Sequence, residues 1–357
     1  MSNLLSSKSG EMKKRKNKLR ALCGVNFTLE QYSFNFSQVT ERYYIDKKAK
    51  LSYCKVPKAG SSLWTQIFMI LRTEPQQNSY MINKIVEESR NKLHGYKPFF
   101  SSMPTVGNST SSVIMSRNPY SRLFSAYIDK IYLMDKFKIS RIISMQNGKP
   151  KSVCGYNVTF QEFLDYVVSQ ASNGYNINRH WAPVYLLCRP CDVRYDVISK
   201  IETLTEDLHF IFNHSQVSRS TKDIILNVTK YKADLFGVLN TYLSHWNKHR
   251  VECPILKEYL LKIWTALKYQ GELKHDLPFP TNAFSSVLTK NPDMKVIVND
   301  FVEYVTKNRP TSEERRAQRR RALTEAYKGI RKSTIDRVQK LYQLDFLLFQ
   351  YELTPPL

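Results

Sequence analysis

Residues 51–72 read LSYCKVPKAGSSLWTQIFMILR, and this stretch decides the fold class. Its first six residues form a short apolar run that ends at Pro57, which predicts a buried strand. A turn follows over 57–62, and the apolar spacing from Leu63 to Arg72 predicts a helix. Ser61 or Ser62 is the expected N-cap, because a serine hydroxyl can accept a hydrogen bond from the first helical turn.

The same order of strand, turn and helix recurs along the chain. Residues 112–117 (SVIMSR) predict a second buried strand, which is broken at Asn118-Pro119. The next residues, from Tyr120 to about Met134, predict a helix, and 195–201 (YDVISKI) predict a third strand. Alternating strands and helices are typical of an α/β domain, so we expect a mainly parallel central sheet flanked by helices.

The turn over 57–62 has the composition of an anion-binding site. Backbone N–H groups at the start of a helix point into such a turn, and the helix dipole favours negative charge there. Lys58 adds a positive charge, Gly60 permits close approach of the backbone, and Ser61 and Ser62 add hydroxyl groups. The Walker A pattern is absent, which disfavours an ordinary nucleotide kinase or ATPase. The plainer alternative is an N-capped helix beside an exposed lysine.

A second anion site is predicted after the second strand. Arg117 ends that strand, at the edge of a parallel sheet where ligands usually bind. Ser125 falls about two turns into the next helix, on the side that can face back toward Arg117. Two such sites in one domain predict a ligand with anionic groups at both ends.

The composition indicates a folded, strongly basic protein. The 357 residues carry a formal net charge of +23 and are 42% hydrophobic, enough for one large domain or two ordinary ones. Such a surface attracts nucleic acid, acidic membrane or anionic polysaccharide, and solvated basic faces without a partner are the alternative. Residues 313–332 (EERRAQRRRALTEAYKGIRK) predict a basic helix that could serve RNA, but no zinc-finger, RNP or basic-zipper pattern accompanies it. The apolar runs are too short for a membrane-spanning helix or a signal-peptide core.

Cysteines and glycosylation sequons favour a secretory compartment. Six cysteines permit up to three disulfides, and the lone CxxC at 188–191 has no second pair with which to hold zinc. We therefore expect disulfides, without a defined connectivity. Asn-x-Ser/Thr sequons begin at Asn26, Asn35, Asn108, Asn157, Asn213 and Asn227.

At its two turns the sequence resembles the Golgi carbohydrate sulfotransferases. Residues 53–64 (YCKVPKAGSSLW) resemble their 5′-phosphosulfate loop, and 117–127 (RNPYSRLFSAY) resemble their 3′-phosphate motif. Two further blocks, which begin at His180-Trp181-Ala182-Pro183 and at 341–351 (LYQLDFLLFQY), resemble the branch of the chondroitin and dermatan 4-O-sulfotransferases and the HNK-1 sulfotransferase. Asn118 departs from the acidic residue that is usual there, which we expect to alter a turn contact.

The resemblance implies a P-loop-like sulfotransferase fold and an enzyme that uses 3′-phosphoadenosine 5′-phosphosulfate (PAPS) without a metal. A sulfuryl group would pass from PAPS to a glycan hydroxyl, with charge stabilised by Lys58 as a catalytic residue. The residues implied to bind PAPS are Pro57, Lys58, Ala59, Gly60, Ser61, Ser62, Leu63, Arg117, Asn118, Pro119, Tyr120, Ser121, Arg122, Leu123, Phe124 and Ser125.

The acceptor hydroxyl needs a general base, and histidine suits that role near neutral pH. His94 lies between the two phosphate motifs, where related enzymes place a catalytic histidine. His180 is the second candidate, although it could instead be a structural histidine beside Trp181. A carboxylate such as Glu202 is the third.

The resemblance also sets expectations for organisation and partners. It covers about 20–207 and 335–352, so we expect a basic lead-in over 1–50, a sulfotransferase domain over 51–357 and an insertion over 208–330. It implies the Golgi lumen or a type II Golgi membrane protein, through an anchor that this sequence does not show. The expected acceptor is an anionic or GalNAc-containing glycan, such as the GalNAc 4-hydroxyl of chondroitin or dermatan, and nucleic acid is not expected. The alternative is a protein that only binds glycan or nucleic acid through its basic surface.

Overall fold

A computed structural model of the chain describes residues 2–24, 42–73, 79–88, 90–95, 111–133, 139–172, 177–231, 234–282, 284 and 293–356. These residues form two compact units. We call 1–122, 167–233 and 337–353 the sheet unit, and 123–166, 234–336 and 354–357 the helical unit.

The sheet unit holds four strands in the order β1-β2-β3-β4: Tyr43–Asp46, Leu51–Cys54, Ser111–Ser116 and Val197–Lys200. β1 and β2 are antiparallel, whereas β2 with β3 and β3 with β4 are parallel. Ile114 at the centre of β3 is level with Cys54 on one side and Ile198 on the other. Every residue of β2 is buried, including the polar Ser52. The predicted α/β class with a mainly parallel sheet is confirmed.

Helices make up most of the remaining described residues. In chain order, the α-helices of the described residues are α1 (Ser2–Cys23), α2 (Ser61–Arg72), α3 (Ser79–Glu87), α4 (Arg90–Gly95), α5 (Pro119–Tyr127), α6 (Ile139–Gln146), α7 (Phe160–Ser172), α8 (Val184–Cys188), α9 (Leu204–Asn213), α10 (Arg219–Tyr231), α11 (Asp234–Lys248), α12 (Leu256–Tyr269), α13 (Met294–Lys307), α14 (Ser312–Lys328), α15 (Lys332–Leu341) and α16 (Gln343–Leu348). A π-helical segment, Ile128–Tyr132, continues α5, and a 3₁₀ turn, Ile201–Thr203, follows β4.

The N-terminal helix α1 packs into the sheet unit through a buried charge network. Asp207, at 0% exposure, accepts hydrogen bonds from Arg15 at 3.0 Å and from Ser199 at 2.9 Å, and Lys8 Nζ lies 2.6 Å from its other oxygen. Arg15 also donates to the Ile198 carbonyl on β4 at 3.0 Å. The basic character of this helix is thus partly used inside the fold. The predicted boundaries of the lead-in and of the insertion stay predictions.

All six cysteines form disulfides, as expected. Cys54, at the end of β2, joins Cys188 at the end of α8, and Cys23, at the end of α1, joins Cys191. The two cysteines of the CxxC segment therefore have different partners. Cys154 joins Cys253 within the helical unit.

Aromatic packing fills the core of each unit. In the sheet unit Tyr53 on β2 stacks on Trp64 of α2, with ring centroids 4.5 Å apart. In the helical unit Trp264 of α12 meets Phe301 of α13 edge to face at 6.0 Å. These contacts bury large apolar surfaces that hold the helices in place.

Candidate functional site

The turn between β2 and α2 is built from left-handed backbone. Lys58 has φ 66° and Gly60 has φ 77°, and α2 starts directly afterwards at Ser61. Gly60 is the N-cap, and no side chain caps the helix, so the predicted cap at Ser61 or Ser62 is wrong. The left-handed turn brings the chain into the helix at Ser61, two residues before the predicted start at Leu63.

Gly60 is also fixed by its neighbours. A Cβ at this position would lie 3.2 Å from Ile201 Cδ1 and 3.2 Å from Met115 Sδ, and its positive φ would strain any other residue. The first helical hydrogen bond of α2 joins Trp64 N to Gly60 O at 3.1 Å. The amides of Ser61, Ser62 and Leu63 therefore belong to the first turn, where backbone N–H groups create an anion site.

The two predicted phosphate turns meet at the carboxyl ends of β2 and β3. Arg117 follows β3 and donates from Nη1 to the Lys58 carbonyl at 3.0 Å. Its Nε donates to Ser121 Oγ at 2.9 Å, which fixes the guanidinium over the start of α5. The side-chain oxygen of Asn118 accepts from the amide of Tyr120 at 3.0 Å and so caps α5. The departure from the family motif at Asn118 thus falls on a turn contact.

Arg122 points inward from the same motif. Its side chain is 1% exposed and donates to the carbonyls of Pro57 at 3.0 Å, Ala182 at 2.6 Å and Arg179 at 3.3 Å. The guanidinium therefore ties the turn over 57–60 to the segment that carries His180. The motif indicated a donor-binding arginine, and the sequence carried no signal that this side chain turns into the core.

The other residues predicted to bind the donor are distributed unevenly. Pro57, Ala59, Ser61, Pro119 and Tyr120 are buried, whereas Lys58, Ser62, Leu63, Asn118 and Ser121 are partly exposed. Leu123, Phe124 and Ser125 belong to the part of α5 assigned to the helical unit, and only Ser125 of these is partly exposed. The pairing of Ser125 with Arg117 stays a prediction.

Two cations that the sequence analysis did not select lie beside the turn. Lys55 follows β2 and donates to the Tyr44 hydroxyl at 2.7 Å, while Arg179 donates to the Lys55 carbonyl at 3.3 Å. Burial, together with the charges of Arg179 and Arg42, lowers the pKa of Lys55 to about 7. Burial also lowers the pKa of Arg179. These groups lie close enough to repel one another, so an anion bound nearby would stabilise their charged forms.

The candidate bases differ in what the structure says of them. His180 Nδ1 lies 2.8 Å from Asn178 Oδ1, and because an amide oxygen only accepts, Nδ1 carries the proton and the lone pair of the neutral ring is on Nε2. Glu202 accepts from the Asn118 amide at 3.0 Å through one oxygen and from the Tyr351 hydroxyl at 3.0 Å through the other. His94 falls in α4, and its side chain lies outside the described residues.

The C-terminal block holds the histidine segment in place. Asp345 of α16 accepts from the amides of Val184 at 2.7 Å and Tyr185 at 2.8 Å, at the start of α8. Tyr342 donates to the Trp181 carbonyl. Burial raises the pKa of Asp345 to about 6, although both backbone hydrogen bonds oppose that shift. Two distant sequence blocks thus form one support behind the turns.

Two features are absent from the part of the chain that the structure describes. Among these residues no helix combines the length and apolarity that crossing a membrane requires. Within the same residues, no group of three or more His, Cys, Asp or Glu side chains is arranged to hold a metal ion.

Comparison with known proteins gives a consistent set of relatives. Carbohydrate sulfotransferase 9 of Homo sapiens is 28% identical over 207 residues, which are 55% of this chain and 46% of that protein. Carbohydrate sulfotransferase 11 of Rattus norvegicus is 29% identical over 192 residues, covering 49% of this chain and 53% of the relative. Carbohydrate sulfotransferase 10 of Xenopus laevis is 25% identical over 243 residues, which are 61% of this chain and 66% of that protein.

The chain spans about half the length of the first of these curated relatives. No solved structure matches. The predicted resemblance to carbohydrate sulfotransferases is confirmed, whereas the narrower resemblance to one branch stays a prediction. The family model described as "Sulfotransferase family" matches residues 41–266, a range that holds all four strands and both predicted phosphate turns. The chain belongs to the sulfotransferase family.

Proposed function

We propose that this protein transfers a sulfuryl group from PAPS to a hydroxyl of a glycan. The observation that carries the proposal is the hydrogen bond from Arg117 to the Lys58 carbonyl, which joins, at one edge of the sheet, the two turns that are proposed to bind anions. A donor with a phosphosulfate at one end and a phosphate at the other requires two such sites in one rigid frame.

The donor would lie across the two turns. Lys58 and the amides of Ser61 and Ser62 would bind the phosphosulfate and stabilise the charge that develops on the bridging oxygen as the S–O bond breaks. Arg117, with Ser125, would bind the 3′-phosphate and supply binding energy remote from the reacting sulfur. The remaining residues of 57–63 and 117–125 would shape and support this site.

For the acceptor we propose His180 as the general base, with His94 as the alternative. Nε2 of His180 would take the proton of the acceptor hydroxyl while the hydroxyl oxygen forms the new bond to sulfur and the S–O bond to the bridging oxygen of PAPS breaks. The products are a sulfate ester and 3′-phosphoadenosine 5′-phosphate. Arg122 supports this choice, because it links the carbonyls on either side of His180 to the donor turn. Glu202 is the third candidate, and its two oxygens accept from the Asn118 amide and the Tyr351 hydroxyl.

The acceptor we propose is a GalNAc-containing or anionic glycan, with the GalNAc 4-hydroxyl of chondroitin or dermatan as the first choice. Support comes from the relatives, all named carbohydrate sulfotransferases, and from the net charge of +23, which attracts an anionic polymer. The three disulfides and the exposed sequons at Asn157, Asn213 and Asn227 support a place in the Golgi lumen.

The test is transfer of labelled sulfate from PAPS to a panel of unsulfated chondroitin, desulfated dermatan, a GalNAc-terminated N-glycan and a glucuronyl-lactosamine acceptor. We expect Lys58→Ala and Arg117→Ala to lower transfer by about 100-fold or more. Lys47→Ala, which removes an exposed lysine of the sheet unit, is the matched control and should transfer at the wild-type rate. Near-normal transfer by either site variant would refute the assigned roles.

The panel also separates the alternatives. Donor binding without transfer to any acceptor would mean either that the protein only binds its ligands or that its acceptor lies outside the panel. Failure to bind 3′-phosphoadenosine 5′-phosphate at all would refute the proposed site.

A further inference from the structure

Helix α14 is the most strongly basic helix of the helical unit, and its sequence alone does not explain its stability. Its 17 residues contain five arginines, and its polar side chains are spread around the whole circumference. A helix without an apolar stripe needs other contacts to hold it. One is a capping box at its start, where Thr311 accepts from the Glu314 amide and Glu314 accepts from the Thr311 amide.

The inner side of α14 is fixed to the end of α12. Gln318 Nε2 donates to the carbonyls of Lys268 and Leu273 at 2.6 Å, and Arg319 Nε donates to the Gln270 carbonyl at 2.6 Å. A Cβ at Gly271 would lie 2.9 Å from the Arg315 carbonyl, so the two backbones touch here. The helix is therefore held as a rigid element rather than as a loose basic tail.

Beside the contact of α12 with α14, positive charges outnumber negative ones. Glu272 binds the guanidinium groups of Arg309, Arg315 and Arg319, so one carboxylate faces three positive charges. The Nε atoms of Arg309 and Arg315 are buried without a hydrogen-bond partner among the described residues. This excess charge raises the positive potential beneath the exposed side of α14.

The outer side of α14 presents further arginines. Arg316, Arg320 and Arg321 are exposed, and no hydrogen bond or ion pair joins them to another described residue. Arg316 and Arg320 are four residues apart, so they lie on one face about 6 Å apart along the axis. Like charges at this spacing repel and destabilise a helix slightly, and a bound anion would remove that repulsion.

We propose that the exposed face of α14 binds an anionic polysaccharide through its carboxylate or sulfate groups, as a polymer-binding surface separate from the donor turns. The inference rests on the proposed function for its choice of polymer. Guanidinium groups suit this ligand because their planar array of donors pairs with carboxylate and sulfate oxygens. Such a surface would let the enzyme hold a long acceptor more tightly than a short one.

A nucleic acid fits this face less well. Proteins that bind single strands add aromatic side chains on which bases stack. The one aromatic residue of α14 is Tyr327, which is 2% exposed and packs edge to face on Phe160 with centroids 5.1 Å apart. The exposed face therefore offers charge without a stacking surface.

The experiment compares two triple variants of the full-length protein. One carries Arg316→Gln, Arg320→Gln and Arg321→Gln, since glutamine keeps the helix propensity and removes the charge. The matched control carries Lys248→Gln, Lys257→Gln and Lys295→Gln, which remove three exposed charges from the same unit. Binding of polymeric chondroitin sulfate is measured by titration from low to physiological salt. Single-stranded DNA that carries the same number of negative charges per chain is the competitor.

We expect the arginine variant to bind polymeric chondroitin sulfate about tenfold more weakly at 0.15 M salt, with a shallower dependence on salt. The control should change less than twofold. An equal loss in both variants would mean a diffuse effect of net charge and would overturn the proposal. Tighter binding of DNA than of the polysaccharide, lost in the arginine variant, would overturn the choice of polymer.

Binding of 3′-phosphoadenosine 5′-phosphate is measured on the same samples. It should be unchanged in both variants, because α14 is not part of the donor turns. If the wild-type protein does not bind this nucleotide but the arginine variant still loses the polysaccharide, the proposed function fails and the binding surface stands. Normal nucleotide binding with unaltered polysaccharide binding would refute the surface alone.

Discussion

Replacing Arg122 with methionine tests whether the site depends on one buried guanidinium. The side chain is 1% exposed, and methionine fills a similar elongated space without hydrogen-bond donors. The change removes bonds to the carbonyls of Pro57 at 3.0 Å and Ala182 at 2.6 Å, together with a longer one to Arg179. Both chain segments of the proposed site then lose their common support.

The size of the effect follows from those bonds. A hydrogen bond to a charged group contributes about 1.5–3 kcal/mol, so the two shorter bonds contribute about 3–6 kcal/mol. Relief from burying a charge offsets part of that loss, which leaves an expected decrease of about 2–4 kcal/mol in the free energy of unfolding. With an m-value of about 3 kcal/mol/M, the urea midpoint should fall by about 1 M.

The assay is urea unfolding followed by tryptophan fluorescence, together with titration of 3′-phosphoadenosine 5′-phosphate. Arg194→Met, an exposed arginine of the same unit, is the control and should stay within about 0.5 kcal/mol of wild type. Arg122→Lys keeps a charge but only one compact donor group, so it should fall between the two. A wild-type midpoint and nucleotide affinity for Arg122→Met would refute the supporting role.

Three further predictions concern other parts of the chain. Asp207→Asn should cost about 3 kcal/mol in thermal or urea unfolding, because the buried Lys8 and Arg15 would keep only Glu11 as a counter-ion, and a loss below 1 kcal/mol would contradict the network. Burial raises the pKa of Asp345 to about 6, so the folded state holds its proton more tightly than the unfolded state and stability should fall as pH rises from about 4 to 6. Asp345→Asn should flatten that part of the stability profile, and an unchanged slope would show that another group causes it. Expression through a secretory pathway should yield glycans, detected by mass before and after enzymatic deglycosylation, at the exposed sequons of Asn157, Asn213 and Asn227.

The sequence predicted the parts of the site that depend on order along the chain. Apolar runs that stop at Pro57 and at Asn118-Pro119 define strands, and parallel strands bring their carboxyl ends to one edge, which is why Lys58 and Arg117 meet. The cap of α2 was missed because the positive φ of Lys58 and Gly60 shortens the turn, and no composition rule indicates that.

Long-range contacts were beyond a single sequence. The inward direction of Arg122 depends on carbonyls 57 to 65 residues away, and six cysteines allow 15 pairings among which spacing cannot choose. In the sequence Lys55 and Arg179 look like ordinary basic residues, because only the fold shows that they lie beside the turn over 57–60.

The pairing of Cys54 with Cys188 and of Cys23 with Cys191 has a consequence for biosynthesis. One loop is nested inside the other, and both close at the same short segment, 188–191. Cys23 must wait for 168 further residues, about 10–30 s of translation, before its partner leaves the ribosome. During that time the native partners of Cys23 and Cys54 have not yet been synthesised. If Cys188 and Cys191 later exchanged partners, α1 would be joined to Cys188 and β2 to Cys191. The choice between Cys188 and Cys191 therefore decides whether α1 and β2 are attached at their native positions.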